Sequence, residues 1–396
     1  MYRSIFSYNC SNLKRVSFIK YSIEIGKIVE GALKHDQTKV INYTKQLICK
    51  LEEDHETYAA KKFTQLMDNK NSTNLSPMGI TKEANLPIDL ESRIEMVDVI
   101  CPNDNDIEVI LSKLNKEKFQ SFILNRKNAD KLNSAGIDVS NTLLLYGPPG
   151  CGKSKCAYLI AKELELPLVV ARLDSLISSY LGTTAKNIRT LFEYAQKTPC
   201  VLFLDEFDAI AKARDDNNEL GELKRVVNSL LQNVDSMSKD SLLIAATNHE
   251  TLLDSAVWRR FDYKIEINLP EPETIIELID LFTKNNIEFN FKEKKEFSIL
   301  FNGLSGSDIE EIIKKAIRNS ILNDSSFSKR DIYDEFFLNM NIIPQNCKNK
   351  REENIIKAKY LKNLDPIFSY SVIGDVLDLS KSTVYSLISE KGEVNE

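Results

Sequence analysis

Eight residues carry the most explicit chemistry in this chain: Gly147-Pro148-Pro149-Gly150-Cys151-Gly152-Lys153-Ser154. They follow the apolar run Leu143-Leu144-Leu145-Tyr146, which reads as a buried strand. They precede a stretch with helical apolar spacing, from Cys156 and Ala157 through Leu159, Ile160 and Leu164. Strand, glycine-rich turn and helix is the context in which G-x-x-x-x-G-K-[ST] becomes a phosphate cradle. Glycines let successive backbone N–H groups converge on one point, and the helix N-terminus adds partial positive charge there. Lys153 would reach the β- and γ-phosphates and the Ser154 hydroxyl would hold Mg²⁺. Lys155 is counted with them among the nucleotide contacts. The alternative is a strand–helix turn with an incidental lysine, and the flanking strand and helix speak against it.

A second apolar strand, Val201-Leu202-Phe203-Leu204, ends in Asp205-Glu206. Two acids at the tip of a buried strand are costly unless they have a cation or a water to act on. Asp205 would hold Mg²⁺ through its water shell, and Glu206 would polarise the attacking water. General-base help of that kind is worth about 10²–10⁴-fold. A helix-capping acid pair is the plainer reading. A third strand, Leu243 to Thr247, ends at Asn248, a neutral amide able to orient that water or to touch the γ-phosphate. A turn-forming asparagine would look the same in isolation. Then come Arg259 and Arg260, between Trp258 and Phe261. Arginines supplied by a neighbouring subunit speed phosphoryl transfer about 10³–10⁵-fold, roughly 4–7 kcal/mol. A surface ion-pair site is the alternative.

With these motifs in this order, residues 94–340 resemble an AAA ATPase of the AAA+ superfamily. The run from Lys224-Arg225 through Asn248 to Arg259-Arg260-Phe261 resembles the second region of homology of that family. Its unspaced arginines are similar to the microtubule-severing and endosomal-sorting branch. The resemblance implies ATP and Mg²⁺ as ligands, a ring oligomer, expected as a hexamer, and both arginines acting in trans. It also implies that Gly306 and Ser307, within Leu304-Ser305-Gly306-Ser307-Asp308, meet the nucleotide at the start of a lid helix. Tyr180-Leu181-Gly182 falls where the family places a pore loop that grips an extended peptide; a tyrosine packed at a loop base would fit equally. Asp215 to Glu219 would lie near a second pore loop or form a solvated acidic turn.

A narrower resemblance rests on Phe203 to Ile210, Glu219 to Arg225 and Ala256 to Phe261. These are similar to bacterial AAA ATPases encoded beside a subtilisin-like serine protease, in pairs associated with anti-phage defence and plasmid incompatibility. No G-x-S-x-G or spaced Asp/His/Ser arrangement stands out here, so any proteolysis would belong to the partner. Ser371 to Ile388 resembles a helix-turn-helix, with Asp378 where the turn usually has glycine. Lys381 is the cation its second helix offers, so DNA binding competes with protein docking for this tail.

The positioning elements follow from periodicity. Strands at 142–146, 168–172, 200–205, 241–247 and 264–268 alternate with helices near 156–165, 184–197 and 219–234, which implies an α/β fold with a parallel sheet wrapped on both faces. The expected organisation is a basic, disordered arm (1–20), a helical docking domain (21–68) and a linker (69–93). A P-loop NTPase α/β subdomain of AAA+ type (94–270), a small all-α lid (271–344) and a helix-turn-helix-like extension (345–396) complete it. In the docking domain Ile23, Ile28, Val29 and Leu33 suggest the first helix, and Asp36 is placed as the cap of the second. The formal charge of −6 makes the whole chain a poor nucleic-acid magnet. Seven scattered cysteines without C-x-x-C and only three histidines signal neither disulfides nor a zinc site. No apolar run is long enough to span a membrane, and the cytoplasm is the expected compartment.

The reading that unites these features is an Mg-ATP-dependent ring that remodels protein substrates. A nucleic-acid-dependent ATPase, and an ATP-gated sensor that activates a protease without threading, are its rivals.

Overall fold

The computed structural model describes residues 20–68, 87, 96–101, 108–172, 181–208, 220–238, 241–253, 255–284, 286–344, 347 and 349–389. The basic arm apart from Lys20, most of the expected linker, Tyr180 and the acidic run 215–219 lie outside these residues.

Three helices come first: α1 (Ser22–Leu33), α2 (Gln37–Glu53) and α3 (Thr57–Asp68). Asp36 caps α2 as expected, its carboxylate accepting the Lys39 N–H at 3.1 Å. The apolar spacing that suggested α1 marks the helix, and Ile28 packs against the small apolar cluster of these helices, but most of the buried face is not apolar. Glu24, Lys27 and Gly31 are buried, whereas Val29 is 51% and Leu33 77% exposed. The reason is tertiary. Lys27 donates to Ser238 Oγ at 2.7 Å and Glu24 pairs with Lys50 at 2.7 Å, so both charges are satisfied inside.

The chain continues through β1 (Asp98–Ile100), α4 (Lys113–Lys127), α5 (Ala129–Ser134), β2 (Thr142–Tyr146), α6 (Lys153–Glu163) and β3 (Leu168–Arg172). Next come α7 (Leu181–Lys197), β4 (Val201–Asp205), α8 (Leu220–Asp235), β5 (Leu242–Thr247), α9 (Ser255–Trp258) and β6 (Tyr263–Glu266). Among the described residues these six strands form one sheet in the order β1-β3-β4-β5-β2-β6. It is parallel except at β1, which runs antiparallel to β3 with Asp98 opposite Val170. The sheet is therefore mixed, not purely parallel. The central strands are near-continuous apolar runs because both faces are covered. Leu144, Leu202, Leu204, Leu243 and Ala245 point to one side, against Leu191 and Phe192 of α7 and Leu230 of α8. Leu143, Leu145, Phe203, Ile244 and Ala246 point to the other, against Phe119 and Phe122 of α4 and Ile160 of α6.

The lid comprises α10 (Pro272–Thr283), α11 (Phe291–Leu300), α12 (Gly306–Leu322) and α13 (Lys329–Asn339). Asn290 with Glu293, Ser305 with Asp308 and Ser328 with Asp331 form capping boxes at three of their N-termini. Three more helices follow: α14 (Lys350–Leu364), α15 (Tyr370–Leu377) and α16 (Lys381–Ser389). They share one core with the lid: Phe297, Tyr333, Phe336 and Phe337 cluster with Leu361, Phe368, Ile373 and Val384. The turn between α15 and α16 is close-packed. A Cβ on Gly374 would come within 2.6 Å of the Leu379 carbonyl. Asp378 adopts a left-handed φ of 58° where a glycine is usual, and its carboxylate pairs with Arg330 at 3.0 Å.

Candidate active site

The phosphate loop leaves β2 at Gly147 and enters α6 at Lys153. Its glycines are obligatory where neighbours approach. Gly147 has φ 133°, and a Cβ there would stand 2.3 Å from the Ile267 carbonyl oxygen. Gly150 has φ 74°, and its Cβ would meet Ser305 Oγ at 2.4 Å. The Lys153 side chain is buried and folds back on the loop, donating to the Gly147 carbonyl at 2.7 Å and the Pro148 carbonyl at 2.8 Å. Burial pulls its pKa down, opposed by Cys151 and the carboxylates of Asp205 and Asp208. Burial pushes the Cys151 thiol up, and that of Cys156, behind the loop, up to about 12. Both are poor thiolate sources.

Facing the loop, β4 delivers Asp205 to Ser154: the hydroxyl donates to Asp205 Oδ2 at 3.0 Å. Asp205 Oδ1 accepts the Glu206 N–H at 2.9 Å. Glu206 itself has φ 54°, a left-handed conformation that turns the chain at the strand tip, and it is exposed. A hydroxyl and a carboxylate this close are the hard-oxygen donors that Mg²⁺ selects, so the pair fits that ion. When bound, Mg²⁺ neutralises the developing phosphate charge.

One positioning residue has no equivalent in the sequence reading. Asp208 is buried, accepts the Thr247 hydroxyl at 3.2 Å and lies 3.5 Å from the Asn248 N–H. Phe207 N–H donates to the Ala246 carbonyl at 2.8 Å. The tips of β4 and β5 are thus laced together, which fixes Asn248 relative to Glu206. An acid two residues beyond the acid pair, matched to a threonine at a strand end, was the available signal.

The loop, Asp205, Glu206 and Asn248 line a cleft of about 810 Å³ whose other walls are lid residues Gly306, Ser307 and Glu310. A volume of this order suits a nucleotide-sized ligand. Val109, Ile110, Leu278, Leu281 and Phe282 make one end apolar. The lid touches the loop directly: Ser307 N–H donates to the Gly150 carbonyl at 3.0 Å, and Lys155 pairs with Glu310 at 3.0 Å.

Arg259 and Arg260 sit elsewhere. The Arg260 carbonyl accepts the Thr142 hydroxyl at 3.0 Å, at the N-terminal end of β2, whereas the phosphate loop leaves its C-terminal end. Arg259 is exposed, and its guanidinium has no ion pair or hydrogen bond among the described residues. Tyr180 lies outside the described residues; Leu181 and Gly182 begin α7.

Fold and site together define a P-loop nucleoside triphosphatase. The family model described as "ATPase family associated with various cellular activities (AAA)" matches residues 143–269. An uncharacterised AAA family ATPase of Sinorhizobium fredii is 44% identical over 232 residues, 59% of this chain and 70% of its own. A 26S proteasome regulatory subunit homologue of Methanocaldococcus jannaschii is 35% identical, across 48% of this chain and 53% of its own. A cell division cycle protein 48 homologue of Archaeoglobus fulgidus is 30% identical, across 68% of this chain and 36% of its own. The chain thus spans about half or less of the latter two. The crystal structure of the FIGL-1 AAA domain superposes with a TM-score of 0.52 at 23% identity, covering 69% of this chain and 93% of that one. A second structure of that domain, in complex with ADP, gives 0.51 at 21% identity, covering 69% and 94%.

The chain belongs to the AAA family of ATPases. It binds ATP with Mg²⁺ and hydrolyses it.

Proposed function

We propose that this ATPase works as a ring, expected as a hexamer, in which each nucleotide is completed by the next subunit and hydrolysis remodels or unfolds protein substrates. One observation carries the reading. Arg259 is exposed, and its guanidinium has no ion pair or hydrogen bond among the described residues. Arg259 is also not among the residues that line the nucleotide cleft of its own subunit, so it is better placed to serve a neighbour's phosphates than its own. Names such as proteasome regulatory subunit homologue support protein substrates. Gly147 to Lys155, with Gly306 and Ser307, would hold the nucleotide. Ser154 and Asp205 would hold the metal, Glu206 and Asn248 would govern the water, and Tyr180-Leu181-Gly182 would grip the substrate. A subtilisin-like serine protease is the proposed partner, in bacterial defence or plasmid maintenance.

Mixing two inactive proteins tests the shared site. Lys153→Ala subunits keep their arginines, and Arg259→Ala subunits keep their phosphate loops. Turnover in the mixture well above either alone supports completion in trans; an inactive mixture of associated subunits sinks it.

A second reading, a nucleic-acid-dependent ATPase, draws support from one feature. The exposed face of α16 presents Lys381, Ser382, Tyr385 and Ser386 and no acid, while Arg330 neutralises Asp378. DNA-stimulated turnover with no response to an unfolded protein would favour it. Tyr180→Ala separates a threading ring from an ATP-gated switch: a threader loses work on folded substrates and keeps basal hydrolysis, while a switch is indifferent.

A further inference from the structure

The two adjacent arginines have opposite surroundings. Every guanidinium nitrogen of Arg260 is engaged within its own subunit. Nε donates to Asp235 Oδ1 at 3.1 Å, Nη2 to Asp235 Oδ2 at 3.1 Å, and Nη1 to the Ala256 carbonyl at 3.2 Å. This is the planar fork that matches a carboxylate with two parallel bonds. The Arg260 backbone is pinned as well: its N–H donates to the Val257 carbonyl at 3.0 Å, and its carbonyl accepts from Thr142. The Thr142 hydroxyl oxygen in turn accepts the Asp262 N–H at 3.0 Å. Arg259, one residue earlier, donates its backbone N–H to the Ser255 carbonyl at 3.2 Å, but its exposed guanidinium has no partner among the described residues.

We infer that Arg260 is a positioning residue, clamped by Asp235, and that Arg259 alone delivers positive charge to the next subunit's triphosphate. The inference rests on the shared-site reading above and divides the labour within it. Its physical basis is charge as well as geometry. A guanidinium that stays on its carboxylate would bring that carboxylate toward the phosphates and cancel the stabilisation a finger must supply. To act as a finger, Arg260 would have to shed both bonds to Asp235 and the one to Ala256. Holding it there instead ties the end of α8 to the turn after α9, which fixes the direction in which Arg259 leaves the surface. Precise placement of one donor is what such a site needs, since a small misplacement is costly in rate.

The test measures ATP turnover by full-length variants, with melting temperature and binding of a fluorescent ATP analogue as controls. Arg259→Ala is expected to lose about 10³-fold or more in kcat with analogue affinity retained. Asp235→Ala frees Arg260 and is expected to lower kcat about tenfold with KM and melting temperature little changed. If Arg260 were itself a finger, releasing it would leave kcat unchanged or raise it, and that result overturns the inference. A subunit-mixing readout separates finger placement from general damage. Asp235→Ala subunits should be rescued by Lys153→Ala subunits, whose arginines are intact, but not by Arg259→Ala subunits. Rescue by both, or by neither, overturns the assignment. The double exchange of Asp235→Arg with Arg260→Asp should restore most of the turnover; an exchanged protein that folds and binds the analogue yet stays inactive also overturns it. Should the Lys153→Ala and Arg259→Ala mixture itself fail, the shared site falls first, so the two failures are distinguishable.

Discussion

The indole of Trp258 meets the ring of Tyr146 edge-on, with centroids 5.2 Å apart and planes at 79°. Tyr146 is the last residue of β2 before the phosphate loop, and Trp258 is the residue before Arg259. The contact therefore joins the nucleotide-holding end of a strand to the arginine segment. Trp258 is the chain's single tryptophan, so its fluorescence is expected to change when ATP binds. Tyr146→Leu should remove most of that change while leaving ATP affinity within about threefold, because only an edge contact of about 0.5–1.5 kcal/mol is lost. An identical titration in the variant would show that the rings do not report on the loop.

Replacing Glu206 by Gln keeps the shape of the strand tip and removes the base. Turnover is expected to fall about 10²–10⁴-fold, with ATP retained on the protein long enough to survive gel filtration. Unchanged turnover would remove Glu206 from the role.

Asp208→Ala leaves the buried Thr247 hydroxyl without its acceptor. A cost of about 1–3 kcal/mol in stability is expected, together with a fall in kcat larger than that of a remote variant of equal melting temperature. The excess would reflect loosening of Asn248. Turnover that merely tracks melting temperature would make Asp208 structural only.

The pH dependence of the N-terminal helices is set in part by Glu30. Hydrogen bonds from Lys34 and Lys39 hold its carboxyl down to about 2 from an ordinary 4.5. The ionised form is the one the fold favours. The stabilisation is therefore full above about pH 4.5 and drains away as pH falls toward 2. Glu30→Gln should melt earlier than the parent at pH 7, with the gap closing by pH 2–3. A gap that persists at acid pH would show that the effect is not charge.

Much of the site was legible because it is written locally. The phosphate loop, Asp205-Glu206 and Asn248 each terminate an apolar run that can only be a buried strand, and the ends of such strands meet. The antiparallel placement of β1 was not legible, since three residues carry no direction. Nor was the buried face of α1: Lys27 and Glu24 go inside only because Ser238 and Lys50 are there to receive them. Asp208 and Asp235 were missed for the same reason. The first acts across two strand tips, and the second meets an arginine 25 residues later. Pairings of this kind arise when elements pack, after any local pattern has been spent.

The seat of the N-terminal helices has a consequence of its own. Asp36 pairs with Lys197 at 3.6 Å, Asn42 donates to Thr198 at 3.4 Å and Lys27 to Ser238 at 2.7 Å. Lys197 ends α7, and Thr198 and Ser238 lie in the turns that lead into β4 and β5, at the pole of the sheet remote from the phosphate loop. The small apolar cluster of these helices includes no side chain from the sheet's own core. Polar links of this kind are screened by salt in a way that apolar burial is not, so the hold on these helices depends on ionic strength more than the sheet's core does.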